Sequence, residues 1–455
     1  MKTTISLLQT SVLALSLLTT SVMAAVSADE ATKLGSTLTP LGAEKAGNSD
    51  GSIPEWTGGL PQSAGTVDSK GFLSDPFASE KPLFIITAQN VDQYKEKLTP
   101  GQVAMFKRYP DTYKMPVYKS HRSASVPAEV INAIKYNATH TKMVEGGNGV
   151  EDFRTAYPFP IPQNGLEVIW NHITHYRGGS LRRLITQVTP QANGSFSPVS
   201  LEEEFTFSEQ LKDYDPSKQG NVLFYFKQRV TAPSRLAGNV LLVHETLNQV
   251  KEPRLAWLYN AGQRRVRRAP QVSYDGPGTA SDGLRTSDNF DMYNGAPDRY
   301  DWKLEGKQEI YIPYNSYKLD SPKLKYSDII KAGHINQDLT RYELHRVWHV
   351  VATLKPGERH IYAKRDIYID EDTWQAAIID HYDGRGTLWR VAEAHAQFYY
   401  NKQVPWYTLE CLYDLISGRY LALGMKNEEN QSFDFSFTAS GSDYTPGALR
   451  QEGIR

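Results

Sequence analysis

The chain has 455 residues, a formal net charge of −1 and a single cysteine, Cys411. The charge balance excludes a global field that would draw nucleic acid or an anionic bilayer, and a lone cysteine excludes an intramolecular disulfide. Tyrosine is frequent, with 27 residues beside 8 Trp and 7 Met, a bias that suits sheets and surfaces meeting amphipathic molecules.

Met1-Lys2-Thr3-Thr4 is a short basic start, and Ile5 to Val22 is an uncharged apolar run. Val22-Met23-Ala24 then places small residues at the −3 and −1 positions of a cleavage site, so residues 1–24 read as a signal peptide cut near Ala24. An uncut membrane anchor is the alternative, but the run holds Ser, Thr and Gln and is short for a span. No later stretch approaches about 18 consecutive apolar residues. The expected residence is the periplasm, with association with the outer membrane as a further expectation. No cysteine stands at the cleavage point, which excludes a lipid-anchored N-terminus.

Residues 25–160 read as a helical and loop-rich extension. Gly47 to Pro54 is dense in turn formers; Asp50-Gly51 fails as a calcium loop, because position one would be Ala46 and position twelve Thr57. Thr87 opens an amphipathic stretch to Leu98, and Thr99-Pro100-Gly101-Gln102 opens a second through Phe106, each with a capping Thr. A third short helix is expected over Ala128 to Tyr136. Such pieces have too little apolar surface to fold alone, so they should pack on the body that follows.

From Gly165 onward the pattern turns to strands: Leu166 to Trp170, Glu203 to Phe207, Asn221 to Val230, Asn239 to Val250 and Ala256 to Tyr259. Trp302 to Ile312, Arg346 to Leu354, His360 to Ile369, Trp374 to Tyr382 and Thr387 to Ala396 continue the series, with a helix expected over Tyr407 to Leu415, ended by Gly418. No helix-length pattern separates these strands, so the sheet is expected to be antiparallel. About ten strands in one twisted sheet must curl or split. The expected fold is therefore mainly β (α+β), a curled antiparallel sheet of residues 161–455 forming an open half-barrel over short helices. Inward-facing aromatics are the candidates to line its apolar cavity: Trp170, Trp257, Tyr259, Trp302, Trp348 and Trp374. Ordinary core packing is the alternative role for each.

Arg264-Arg265-Val266-Arg267-Arg268 puts Arg265 and Arg267 on one face of a strand, where they could meet a ligand head group at the cavity mouth. Salt bridges to Asp282, Asp288, Asp291 and Asp298, or a solvated edge, are the alternatives. Tyr274 to Gly283 has glycines at 276, 278 and 283, which match neither dinucleotide-binding nor Walker spacing, so residues 274–301 read as a long mobile loop able to act as a lid. His172 and His175 are three apart and His345 and His349 four apart, but on strands such spacings do not converge on a metal. Asp370, Asp372, Asp380 and Asp383 read as turn formers, and no serine sits in a nucleophile elbow. No metal, cofactor or catalytic residue is assigned.

The block from Trp257 to Leu388 resembles a known superfamily. Ala256-Trp257-Leu258-Tyr259 with Arg264 to Arg268 is similar to its W-x-Y…R-V-R-R strand pair, and Thr286-Ser287-Asp288-Asn289-Phe290-Asp291 to its Ser-Asp-Phe segment. Arg346 to Val350, Ile367 to Trp374, and Asp380-His381-Tyr382-Asp383-Gly384-Arg385-Gly386-Thr387-Leu388 resemble its later strands and hairpin. These features resemble the LolA/LolB-like fold of outer-membrane lipoprotein sorting. Leu38 to Gly47 and Asn294 to Trp302 look more specifically like a proteobacterial periplasmic family of unknown function in that group. The resemblance implies a cavity for acyl chains and work beside an inner-membrane exporter of the resistance-nodulation-division type. The expected function is thus a binding or shuttle protein for a lipid or other hydrophobic molecule, without enzymatic activity. Two alternatives stay open: an exporter adaptor that binds no ligand, and a lipid-acting enzyme using a residue such as His244, Glu245 or His381.

Overall fold

Buried and half-buried positions alternate from Val199 to Glu204, the period of two of a strand with one face in the core, whereas Val404–Asp414 and Tyr420–Met425 are buried along their whole length, as strands covered on both faces are. The structure is a computed structural model that describes residues 26–269, 272 and 274–452; the leader and its cleavage point lie outside them. The N-terminal part carries α1 (Ala28–Ala31), β1 (Phe84–Ile86), α2 (Pro100–Arg108), β2 (Met115–Val117), α3 (Ala128–His140) and a small ladder of β3 (Lys142–Met143) with β4 (Val150–Glu151). Next come α4 (Gly165–Ile173), β5 (Ser180–Val188), β6 (Val199–Phe207), α5 (Pro216–Gln219), β7 (Val222–Ala232), β8 (Val240–Thr246), β9 (Leu255–Asn260) and β10 (Arg265–Arg268). The rest comprises β11 (Tyr300–Pro313), α6 (Tyr326–Ile329), β12 (Tyr342–Leu354), β13 (Lys364–Asp370), β14 (Ala376–Tyr382), β15 (Leu388–Tyr399), β16 (Val404–Asp414), β17 (Tyr420–Met425) and α7 (Pro446–Glu452).

Fifteen of these strands form one sheet in the order β1-β2-β12-β13-β14-β15-β16-β17-β5-β6-β7-β8-β9-β10, with β11 also on β12. Its ladders are antiparallel except for a single parallel bridge, Tyr342 to Val117. The path ends at β1 and β10 without closing. Phe226 of β7 and Ile369 of β13 nevertheless share one core cluster with Val168, Ile169 and Trp170 of α4, which requires the sheet to curl over that helix. The opposite face of β12–β17 is covered too, by Met105 and Phe106 of α2. Beyond β7–β9, the same outer side is capped by Leu449 of α7.

Four expectations are corrected. Leu166 to Trp170 lies in α4, whose N-terminus Asn164 caps by accepting from the Glu167 N–H at 3.0 Å. That helix is buried from Gly165 to Ile173 apart from Leu166, and its polar residues Glu167, Asn171 and His172 are buried with the apolar ones, so it has no solvent-facing stripe. Tyr407 to Leu415 lies mostly in β16, held between β15 and β17 and buried along its whole length. A strand covered on both faces reads as a continuous apolar run. Thr87 to Leu98 forms only single 3-10 turns, Val91–Gln93 and Lys95–Lys97. Strands β5 and β17 were not foreseen; in β5 the alternation is masked because Arg183 points inward to Glu203, at 2.6 Å. Leu34, Leu41, Val130 and Ile134, from the chain before α4, join the core cluster around that helix.

Candidate functional site

On β7, Phe224, Phe226 and Gln228 point to one face and Tyr225 and Lys227 to the other, as alternation demands. Their ladder partners on β8 are Glu245, Val243 and Leu241, and Leu241 in turn faces Leu258 of β9. These inner side chains are the floor of a cleft of about 240 Å³. Its roof is formed by Val272 and the 274–294 segment, which contributes Pro277, Gly278, Thr279, Arg285, Ser287, Phe290 and Asn294. Phe290 lies on Phe226 with ring centroids 4.6 Å apart, joining roof to floor. Alongside Leu241, Val243 and Leu258, the three rings make a mostly hydrocarbon wall, and the polar groups are Gln228, Arg254, Arg285, Asn294 and two hydroxyls.

The roof is fastened at several points. Asp288 takes a hydrogen bond from Arg365 at 2.6 Å and faces His360 at 3.0 Å, while Arg365 is ringed by Tyr293, Tyr300 and Tyr362. Asp291 accepts from the Arg177 Nε at 2.7 Å. Burial alone would raise both acids, yet Arg365 and Arg177 respectively hold them well below the usual carboxylate range. Charge-assisted pairs of this kind are strong and sit deep in the core. The segment is a strap, which corrects the expectation of a mobile lid over 274–301. Asp282 pairs with Arg419 at 2.8 Å, and Asp298 accepts from Tyr274 at 3.0 Å, so these aspartates do not neutralise the arginine run at 264–268.

The six candidate aromatics are dispersed, and none lines the cleft. Trp170 is buried in α4 and donates its Nε1–H to the Gly147 carbonyl at 2.9 Å. Trp374 is buried as well, donating to the Leu41 carbonyl at 2.8 Å and stacked near Trp348 with centroids 6.1 Å apart. Half-buried Trp302 packs on Tyr293 and donates to the Pro297 carbonyl at 2.9 Å. These four serve the core around α4. Trp257 and Tyr259 face the other side of the sheet, against the α7 cluster, because their neighbour Leu258 faces the cleft. Arg265 and Arg267 are exposed on the edge strand β10, and Arg267 stands directly opposite Leu258, on the cleft's side of the sheet. Arg268, one residue on, lies over the Trp257 ring instead.

Other candidate groups are structural in their contacts. His172 lies on helix α4, not on a strand, and its ring nitrogens reach the Trp374 and Asp291 carbonyls at 3.1 and 3.0 Å. His381 is fully buried and meets the Asn289 amide at 3.0 Å; burial, then Arg365 and Arg390, press it well below its ordinary range and keep it neutral. His244 faces Tyr444 on the outer side, and Glu245 pairs with Arg254 at 2.5 Å. Asp370, Asp372 and Asp380, read from sequence as turn formers, are buried. His345, Asp370 and Asp372 form the group among the described residues whose ligand atoms could share an ion. Asp372 is already clamped by Arg122 at 2.6 Å, and His345 by Glu343 at 3.1 Å, so that cluster is satisfied as a network. The cleft residues that the sequence reading missed divide in two. Phe224, Phe226 and Gln228 were visible as one face of an alternating run, whereas Arg254 and Arg285 stand outside strand interiors where no period marks them.

The family model described as protein of unknown function (DUF1329) matches residues 85–450. A Pseudomonas aeruginosa protein described as uncharacterized is 82% identical over 455 residues, covering all of both chains. Among solved structures, a Vibrio parahaemolyticus domain named for outer membrane lipoprotein sorting is 13% identical, with a TM-score of 0.43 over 63% of this chain and 98% of that one. A LolA superfamily protein from Nitrosomonas europaea is 9% identical, with a TM-score of 0.36 over 60% of this chain and 92% of its own.

Proposed function

The chain belongs to the DUF1329 family, and from that premise we propose that it is a periplasmic binding and shuttle protein, taking a hydrophobic or amphipathic molecule into the cleft beneath the 274–294 strap. The observation that carries this reading is the cleft itself: an aromatic and aliphatic wall with a few polar groups, left open between β7–β9 and the strap. Ligand pockets are commonly hydrophobic clefts of about 300–1,000 Å³ with a small number of placed polar groups. At about 240 Å³ this one sits just below that range, which favours one acyl chain or a small amphiphile over the several chains of a lipoprotein. Its lining among the described residues offers hydrocarbon, ring, amide, hydroxyl and guanidinium groups, so we take binding, and not turnover, as its task. A resistance-nodulation-division exporter and the outer membrane are the proposed donor and acceptor.

A second reading, an exporter adaptor that carries no ligand, draws on the opposite observation. Around α4 the inner face of the sheet is filled by the chain's own side chains, Trp170, Trp348 and Trp374 among them. The two readings part on one experiment. Protein purified from cells expressing the full chain is incubated with total bacterial lipid and examined by native mass spectrometry, beside a Val243→Trp variant that fills the cleft from its floor. The carrier reading expects a bound lipid on the wild type and at least a tenfold loss in the variant, about 1.4 kcal/mol or more. A wild type that stays empty supports the adaptor, and a variant that binds equally well overturns the placement of the ligand in this cleft.

A further inference from the structure

Arg285 is 5% exposed and lines the cleft. Among the described residues, its Nε and Nη1 have no hydrogen-bond partner and no carboxylate lies within 4.0 Å of its guanidinium. Arg254, the other cleft arginine, shows the contrast. Glu245 meets it at 2.5 Å, and the carbonyls of Val272 and Asn294 accept from it at 3.2 and 2.5 Å. Glu410 is near enough to Arg285 for its acidity to respond to that charge, but it lies beyond ion-pair distance and accepts from the Met292 N–H at 2.6 Å. A buried guanidinium with idle donors is strongly unfavourable unless something supplies acceptors.

The strap is shaped to hold this side chain. Pro277 and Thr286 bridge, and the Gly278 N–H donates to the Arg285 carbonyl at 3.0 Å, forming a tight hairpin. A Cβ on Gly278 would come within 2.8 Å of the Arg285 Nε, so glycine at that position leaves the room the guanidinium occupies. Of the glycines at 276, 278 and 283, Gly278 thus serves the Arg285 side chain. Two carbonyl oxygens of the cleft, Gln228 Oε1 and Asn294 Oδ1, are also without partners among the described residues. Their amide nitrogens are pinned to Glu203 at 2.6 Å and Glu245 at 3.0 Å, which fixes the oxygens as acceptors.

We propose that Arg285 binds the oxyanion, carboxylate or phosphate, of a single-chain amphiphile whose tail lies against Phe224, Phe226 and Leu241. This rests on the carrier reading and gives it a ligand class. The guanidinium offers its idle donors to the oxyanion, while Gln228 and Asn294 accept from hydroxyl or amine groups on the same head.

The test compares dodecanoate, dodecyl phosphate and dodecanol by isothermal titration at pH 7, with inorganic phosphate as a further probe, on wild type and Arg285→Met. The wild type is expected to bind either anionic amphiphile at least about tenfold more tightly than dodecanol, as charge-assisted hydrogen bonds allow. Arg285→Met abolishes that preference, keeps dodecanol binding, and raises the urea midpoint because a buried unpaired charge is gone. The relative strength of dodecanoate and dodecyl phosphate names the head group. Equal binding of dodecanol and the anions by the wild type overturns the head-group inference and leaves the carrier reading intact; this comparison needs no variant. Inorganic phosphate binding as tightly as dodecyl phosphate overturns the amphiphile in favour of a free anion. If none of the probes binds, both readings fail.

Discussion

Glu393 lies on β15 with 1% exposure, its Oε2 accepting from the Tyr342 hydroxyl at 3.1 Å and its Oε1 without a partner among the described residues. Burial pushes this carboxyl up to about 7, from an ordinary value of 4.5. A raised carboxyl binds its proton more tightly when folded, so its stabilising share is complete below about 4.5 and is lost as pH rises through about 7. A shift of this size is worth roughly 3 kcal/mol. Glu393→Gln, which mimics the protonated acid, is therefore expected to be neutral at pH 4.5 and to stabilise by roughly 2–3 kcal/mol at pH 8.5. Urea unfolding at the two pH values measures it, and an equal effect at both would show that ionisation of Glu393 is not the cause. Asp288 and Asp291 act in the opposite sense: held low by their arginines, they add stability above the ordinary aspartate range that is lost as pH falls. At this scale the sequence shows the chemistry of each group but not its burial. Asp380 read as a turn residue, yet it is fully buried, and burial lifts it to about 7.

Helix α2 was legible because its signals are local. Thr99 accepts from the Gln102 N–H at 3.1 Å, the Gln102 side chain returns to the Thr99 N–H, and Pro100 opens the first turn. Its tertiary role was not legible. The Gly101 N–H donates to Asp380 at 2.7 Å, and a Cβ at Gly101 would fall 2.0 Å from the Asp380 Oδ1 and 2.8 Å from Val391. In an isolated helix Gly→Ala stabilises by about 1 kcal/mol; here the clash reverses the sign. Gly101→Ala is expected to destabilise by about 1–3 kcal/mol, the usual range for overpacking, read as a lower thermal midpoint. A higher midpoint would mean that α2 stands further from β14 than described. The same division explains α4 and β16. Both bury polar side chains beside apolar ones, Glu167 and Asn171 in α4 and Thr408 and Glu410 in β16, so residue type does not separate an inner face from an outer one there.

The extension and the sheet meet at Arg122, whose Nε and Nη2 grip both oxygens of Asp372 at 2.9 and 2.6 Å. The same guanidinium donates to the carbonyls of Glu44 and Lys45 at 2.7 and 3.1 Å, so one side chain joins three stretches of chain. Breaking a buried pair by removing one partner costs about 3–5 kcal/mol. Arg122→Ala is expected to lose that much, with extension and sheet still melting in one transition because they share the core around α4. Two separate transitions by circular dichroism would show that the extension is an independent unit. Much of this molecule was determined by the sequence alone: a mainly β chain, antiparallel because no crossover helices intervene, the hairpins after Asp370 and Tyr382, and the capped helix at Thr99. Period, turn chemistry and capping are properties of neighbours in the chain, and neighbours can be read. Only the tertiary structure decided that six aromatics are dispersed through the core, that the 274–301 stretch is strapped down, and that Arg285 faces a cleft without a counter-ion among the described residues. Those outcomes depend on which distant residues meet across the curled sheet, and on how much water is left between them, and neither quantity is carried by local order.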